Sequence, residues 1–252
     1  MISKIIHYCW FAPQGRSPQH GHGEMPQEVL DCIASWHKYM PDWEYRLWDE
    51  NNFDVKALPY TAEAYAAGKY AFVSDYVRLW ALEREGGLYL DVDFEVYKSF
   101  DDLLHYHAFA GIEGSKHNPV MMGVCAAEPH GQWVTEMLKA YRDRHFLLPD
   151  GTMDLTTNVQ FITSIMVANG FRQDGTEQDY KDLHVFPVDY FSPRHTTGEY
   201  IRTENTYCEH KGLGSWSDGK KGWKGAVLKL VGQKNMTQLI KLKRHFENLK
   251  QN

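Results

Sequence analysis

Two pairs of charged residues stand out as able to do chemistry. In "GGLYLDVDFEV", residues 86–96, Asp91 and Asp93 lie one residue apart in a stretch that otherwise reads as a buried strand. In "FVSDYVRL", residues 72–79, Asp75 and Arg78 lie three apart on a stretch of helical composition, with Ser74 beside them. Side chains alternate along a strand, which predicts Leu88, Leu90, Val92 and Phe94 on one face and Tyr89, Asp91 and Asp93 on the other. The two carboxylates would then lie roughly 6 to 7 Å apart. Left alone they repel, and one takes up a proton. A hard divalent cation such as Mg²⁺ or Mn²⁺ removes that repulsion and can hold a diphosphate on its far side. Solvated aspartates on an exposed sheet edge would give the same D-x-D pattern. The context favours the metal, because a helix, a Gly-Gly stop and an apolar strand put the motif near a strand's carboxyl end, where α/β folds hold ligands. Asp75 and Arg78 share a helix face. A surface ion pair worth a few tenths of a kcal/mol would fit them too. Core residues flank that face, however, so Arg78 reads as a group that neutralises phosphate and Asp75 as an acceptor for sugar hydroxyls.

The elements that must position these residues follow from periodicity and punctuation. "KIIHYCWF" is a first strand, closed by the loop "APQGRSP". "PQEVLDCIASWHKYM" is a helix with Val29, Ile33 and Trp36 on one face and Leu30 and His37 beside it. "WEYRLWDENN" is a second strand and turn, completing a β-α-β unit. "YTAEAYAAGKYAFVSDYVRLWALEREGG" is helical and divided at Gly68, its second piece burying Val73, Val77, Trp80 and Leu82. Gly86-Gly87 supply a left-handed stop. Downstream, "HAFAGIE", "PVMMGVCAA", "LHVFPVDYF" and "ENTYCEH" read as strands, and "GQWVTEMLKAYRDRHF" and "NVQFITSIMVANG" as amphipathic helices.

The 252-residue chain is 43% hydrophobic and 14% aromatic, enough for one large domain with a sizeable core. A net charge of −6 excludes a general nucleic-acid binder, which needs a basic surface. Cys9, Cys32, Cys125 and Cys208 form no CxxC pair and read as small buried hydrophobes in a reducing compartment. No apolar run is long enough to span a bilayer, and the first fifteen residues lack a signal peptide's long apolar segment and cleavage site. The expectation is a cytoplasmic protein.

Three segments, "KIIHYCWF", "AFVSDYVRLWALEREGGLYLDVDFEV" and "TENTYCEHKGLGSW", resemble the DXD-containing glycosyltransferases that act on capsular polysaccharide, lipopolysaccharide or mannan acceptors. The sugar-transfer domain of the large glucosylating toxins is similar. The resemblance implies a GT-A fold over residues 1–219, a mixed central sheet flanked by helices. It also implies a nucleotide-sugar donor (a UDP-hexose ahead of GDP-mannose), Mn²⁺ or Mg²⁺, a glycan or lipid-linked saccharide acceptor, and retention of anomeric configuration. By the same resemblance, Trp10 stacks on the nucleotide base. Ser74, Asp75 and Arg78 contact donor sugar or ribose, Tyr89 and Asp91 line the nucleotide site, and Asp93 binds the metal directly with Asp91 beside it. Asn158 and Gln160 fall where the family has sugar contacts. The segment from His210 to Trp216 is expected to form a lid, with His210 as a further metal ligand or as a cation that meets the diphosphate, and Ser215 and Trp216 closing over the phosphates.

No carboxylate nucleophile has a signature of its own, which favours a same-face mechanism in which the leaving phosphate helps deprotonate the acceptor. A nucleotide-sugar hydrolase or a non-catalytic sugar-binding module would share these residues. "HGHG", residues 20–23, reads as a polar loop, and "GLGSWSDG" matches no phosphate-loop pattern. Residues 220–252, basic from Lys220 and Lys221 to Lys243 and Arg244, read as a helical tail able to rest on an anionic membrane, at its inner face.

Overall fold

The computed structural model describes residues 1–12, 25–115, 117–194 and 199–213. Its centre is a seven-stranded sheet built from β1 (Ile5–Cys9), β2 (Glu44–Trp48), β3 (Gly87–Leu90), β5 (Ala108–Ile112), β6 (Val120–Ala127), β7 (Gln178–Tyr180) and β8 (Leu183–Phe186), in the order β2-β1-β3-β6-β5-β8-β7. A separate two-stranded sheet pairs β4 (Phe94–Val96) with β9 (Cys208–His210). β1 runs parallel to both β2 and β3, while β6 is antiparallel to β3 and to β5. β8 is parallel to β5. The carboxyl ends of β1, β2, β3, β5 and β8 therefore share one edge of the sheet. The expected mixed α/β architecture, a central sheet flanked by helices, is the one the chain forms.

Helices cover both faces, so the central strands β3, β5 and β6 are buried throughout. One apolar cluster joins Tyr89, Met122 and Cys125 to residues of α2 (Pro59–Ala66), α3 (Tyr70–Glu85), α4 (Gln132–Lys139) and α5 (Asn158–Ala168). The other joins Leu88, Leu90, Phe109 and Val124 to Val29 and Trp36 of α1 (Gln27–Tyr39) and to Phe191 of the short α6 (Val188–Phe191). On α1 the buried residues are Val29, Cys32 and Trp36, while Leu30 faces solvent. All four cysteines are free and buried. Among the described residues no helix is long and apolar enough to cross a membrane.

Two features of this frame set up the site. The first is the junction of α3 and β3. Gly86 caps α3 at φ +66°, and Gly87 follows at φ +105°, where a Cβ would lie 2.6 Å from the Ile5 carbonyl oxygen. Only glycine allows that approach, so the helix passes into the sheet without a loop. The second feature corrects the strand reading. β3 stops at Leu90, and the Phe94 N–H donates to the Asp91 carbonyl at 3.1 Å, closing a turn. Asp91 and Asp93 thus lie on a turn between two sheets and not on one face of a continuous strand. Val92 and Phe94 still join the cluster that holds Leu88 and Leu90. The apolar side of the pattern survives the break and the polar side does not.

Candidate active site

Arg78 organises the first half of the site. It lies mid-helix on α3, only 5% exposed, with its guanidinium directed across the sheet. Nη2 donates to Asp75 Oδ1 at 2.8 Å and lies 3.3 Å from Asp91 Oδ1. Nη1 donates to the Met122 carbonyl at 2.6 Å and lies 3.5 Å from Asp91 Oδ2, and Nε reaches the Ser74 carbonyl at 3.4 Å. Its central carbon stands 4.6 Å from the centre of the Tyr89 ring. Tyr89 completes the circuit by donating its hydroxyl to Asp91 Oδ1 at 2.9 Å. Burial alone would lower the Arg78 pKa, but Asp91, Tyr89 and Asp75 outweigh it and hold the charge firmly in place. Burial raises Asp75 to about 6 against the pull of Arg78, and burial likewise raises Asp91.

Asp93 is held from the opposite side. Oδ2 accepts from His210 Nε2 at 3.0 Å and from the Leu213 N–H at 3.1 Å, and the Asp93 carbonyl accepts from the Lys211 N–H at 2.8 Å. Pairing of β4 with β9 sets Phe94 opposite His210, whose ring stacks on the Phe94 ring at 4.8 Å. Burial would raise the Asp93 pKa, but the His210 bond and charge bring it below its ordinary value. The same contact raises His210 against its own desolvation. The mutual repulsion expected of two neighbouring aspartates is thus met by two nitrogen donors, a buried guanidinium behind Asp91 and a half-exposed imidazole in front of Asp93.

The expected site residues divide into three groups. Asp75, Arg78, Tyr89 and Asp91 come together, and Asn158 joins them from the first turn of α5 by donating Nδ2 to the Asp75 carbonyl at 2.8 Å. Asn158 is 2% exposed, and its Oδ1 is buried without a partner. Asp93 and His210 form the second group. In the third group, Ser74 and Gln160 turn elsewhere. Ser74 donates its hydroxyl to Tyr70 of its own helix, and Gln160 is exposed, its side chain accepting from the Thr157 N–H in a capping box. Trp10 follows β1 and is partly buried, its N–H on the Trp48 carbonyl at 3.0 Å. Ser215, Trp216, residues 20–23 and the basic tail lie outside the described residues. The sequence reading missed the Met122 carbonyl and Gly123. A Cβ at Gly123 would lie 2.8 Å from Asp91 Oδ2 and 2.7 Å from Phe94, so β6 makes room for the carboxylate.

Among the described residues no three His, Cys, Asp or Glu side chains gather around one point. Asp91 and Asp93 therefore do not converge on one ion with His210, because the turn sends Asp91 towards Arg78. The Asp93–His210 pair does fit a cation. Their carboxylate oxygen and imidazole nitrogen are donor types that a divalent ion takes, and an ion bound there would replace the hydrogen bond between Asp93 Oδ2 and His210 Nε2 and release its proton.

Residues 26–110, which carry Asp75, Arg78, Asp91 and Asp93, match the family described as glycosyltransferase sugar-binding region containing DXD motif. Inositol phosphoceramide mannosyltransferase 3 of Schizosaccharomyces pombe is 31% identical over 112 residues, covering 43% of this chain and 29% of that protein. Mannosyl phosphorylinositol ceramide synthase SUR1 of Saccharomyces cerevisiae is 27% identical over 174 residues, covering 66% of this chain and 42% of that protein. The chain spans less than half the length of either relative. The structure of PaToxG Glycosyltransferase is similar at a TM-score of 0.47 and 17% identity, over 67% of this chain and 69% of that one.

Proposed function

We propose that this protein is a glycosyltransferase of GT-A type that moves a hexose from a nucleotide-sugar donor to a saccharide acceptor with retention of configuration. The observation that carries the reading is the pair of aspartates at the carboxyl edge of the sheet, one fixed by Arg78 and the other by His210, within a stretch matched by a glycosyltransferase family model. Breaking a sugar–phosphate bond leaves a nucleoside diphosphate, whose charge must be met by fixed positive groups.

Asp93 and His210 would hold the divalent cation, and their mixed oxygen and nitrogen set suits Mn²⁺ better than Mg²⁺. When bound, that ion supplies Lewis-acid stabilisation of the departing diphosphate. The chain's own residues do the positioning. Arg78 spends its donors on Asp75, Asp91 and the Met122 carbonyl, so it acts as a clamp that fixes both carboxylates. Asp91 keeps lone pairs beyond those facing Arg78 and Tyr89, and these can accept hydroxyls of ribose or sugar. Asn158, anchored through Nδ2, has Oδ1 free for a sugar hydroxyl. Trp10 lies at the end of β1, where a nucleotide base can stack.

The names of the two fungal relatives favour mannose as the sugar, and hence GDP-mannose over the UDP-hexose expected from sequence. They also favour a lipid-linked acceptor, which the basic tail would help to reach. The test is product analysis with GDP-mannose, UDP-glucose and UDP-galactose in Mn²⁺, with and without glycan and glycolipid acceptors. Transfer from one donor supports the reading. Free sugar in the presence of every acceptor would instead make the protein a hydrolase, and no turnover of any donor would refute both.

A further inference from the structure

Asp91 and Asp93 each have a basic side chain as a close partner, but a third carboxylate at the same edge has none. Glu113 immediately follows β5. That strand runs in the direction of β3 with β6 between them, so Glu113 and Asp91 follow the carboxyl ends of two strands at the same edge of the sheet. The Glu113 main chain is fixed. Its N–H donates to the Pro119 carbonyl at 2.8 Å, and the next N–H, from Gly114, donates to Ser192 Oγ at 3.0 Å. The side chain is partly buried, and its carboxyl has no hydrogen-bond or ion-pair partner among the described residues. Burial raises its pKa, and the positive charge it senses is that of His210, which also senses Asp93 and Asp91. Glu113 therefore shares an electrostatic neighbourhood with the two aspartates while keeping its whole accepting capacity unused. A carboxylate lacking a cation of its own is a poor neighbour for a phosphate, since like charges repel. It is a good one for neutral hydroxyls, which donate to it in short, charge-assisted hydrogen bonds.

We propose that Glu113 is a sugar-binding residue of this active site, its carboxylate accepting hydrogen bonds from hydroxyl groups of a hexose. The assignment rests on the glycosyltransferase reading above. The hexose belongs either to the donor or to the acceptor, and the chemistry is the same in both.

Calorimetric titration of the full chain in Mn²⁺ separates these cases, using GDP-mannose and UDP-glucose against bare GDP and UDP. Removing a hydrogen bond to a charged group typically costs roughly tenfold or more in affinity. If the donor sugar is the ligand, Glu113→Ala weakens the sugar nucleotide by at least about tenfold and leaves the bare diphosphate within about twofold. If the acceptor is the ligand, nucleotide affinities hold while the KM for methyl mannoside or a glycolipid acceptor rises by a similar factor. Glu113→Gln keeps the side chain's size and one acceptor oxygen, so it should fall between wild type and Glu113→Ala. It also reports separately on folding through its melting temperature. Wild-type affinities and KM values in Glu113→Ala overturn the assignment. So does an equal loss for sugar nucleotide and bare diphosphate, which would mark a general charge or folding effect. A wild-type chain that binds none of the four nucleotides overturns the glycosyltransferase reading, and the Glu113 assignment with it.

Discussion

His7 offers a sharp test of the fold that carries the site. It lies on β1, fully buried, with Nε2 donating to the Gly86 carbonyl at 2.8 Å and Nδ1 accepting from the Trp48 indole N–H at 3.1 Å. Both ring nitrogens are used by one neutral tautomer, and a second proton would break the Trp48 bond and bury a charge. Desolvation accordingly lowers its pKa from 6.5 to about 4. Between these values the unfolded chain binds a proton that the folded chain refuses, so stability rises with pH. The contribution is complete above about pH 6.5 and lost below about pH 4, about 3 kcal/mol in all. Asp75 works in the opposite direction, because burial raises it from 3.8 to about 6. The folded chain there holds a proton the unfolded chain releases, and stability falls as pH rises across that window, again by about 3 kcal/mol. The wild-type curve should therefore be shallow from these two groups, and His7→Gln should expose the Asp75 slope. Urea unfolding of both proteins at pH 7.0 and 4.5 measures it. His7→Gln should be the less stable at pH 7.0, and the gap between the proteins should shrink by about 2 kcal/mol at pH 4.5. A gap that stays constant across the two pH values would refute the neutral, doubly bonded imidazole.

Arg78→Lys keeps the charge but loses the fork that holds Asp75 and Asp91 together, so kcat/KM for transfer should fall by roughly a hundredfold or more while circular dichroism remains native; kinetics equal to wild type would reduce Arg78 to a structural cation. Asp93→Asn should remove nearly all transfer, and the wild-type enzyme should stop in chelator and recover with Mn²⁺, whereas full activity in chelator would count against a cation at the Asp93–His210 pair. Gly123→Ala should push against Asp91 and Phe94, costing about 1 to 3 kcal/mol in thermal or urea unfolding and lowering transfer more than stability. An unchanged melting temperature with unchanged activity would show that β6 does not limit the Asp91 position.

How far the sequence reaches is clearest from individual residues. The α3–β3 junction could be read directly, because Gly86-Gly87 is a local signal with a local cause. The β-α-β start was equally legible from Pro26 and from the apolar runs on either side of α1. Gln160 carried a local signal as well. Thr157-x-x-Gln160 is a capping-box spacing, and it explains the side chain's direction better than a sugar contact does. What the sequence did not show depends on distant partners. The Met122 carbonyl, the space at Gly123 and the unpaired Glu113 come from β5 and β6, whose sequences read simply as apolar strands. The turn at Asp91–Phe94 left no trace, because Val92 and Phe94 are apolar whether the strand continues or breaks, and both pack in the same cluster either way.

That turn gives the two aspartates different surroundings. On a straight strand they would face the same way and require one cation between them. With the chain turned, Asp91 points back to a guanidinium whose charge Asp91, Tyr89 and Asp75 maintain against its burial. Asp93 points to an imidazole at the half-exposed surface, reached only through the pairing of β4 with β9. One carboxylate is therefore fixed by the core and the other by a surface strand. A ligand at this edge meets a rigid acceptor at Asp91 and a pair, Asp93 with His210, whose geometry depends on residues 208–213 staying in place. Changes in that strand, far from Asp91 in sequence, should therefore affect the Asp93 side of the site while leaving the Arg78 clamp intact.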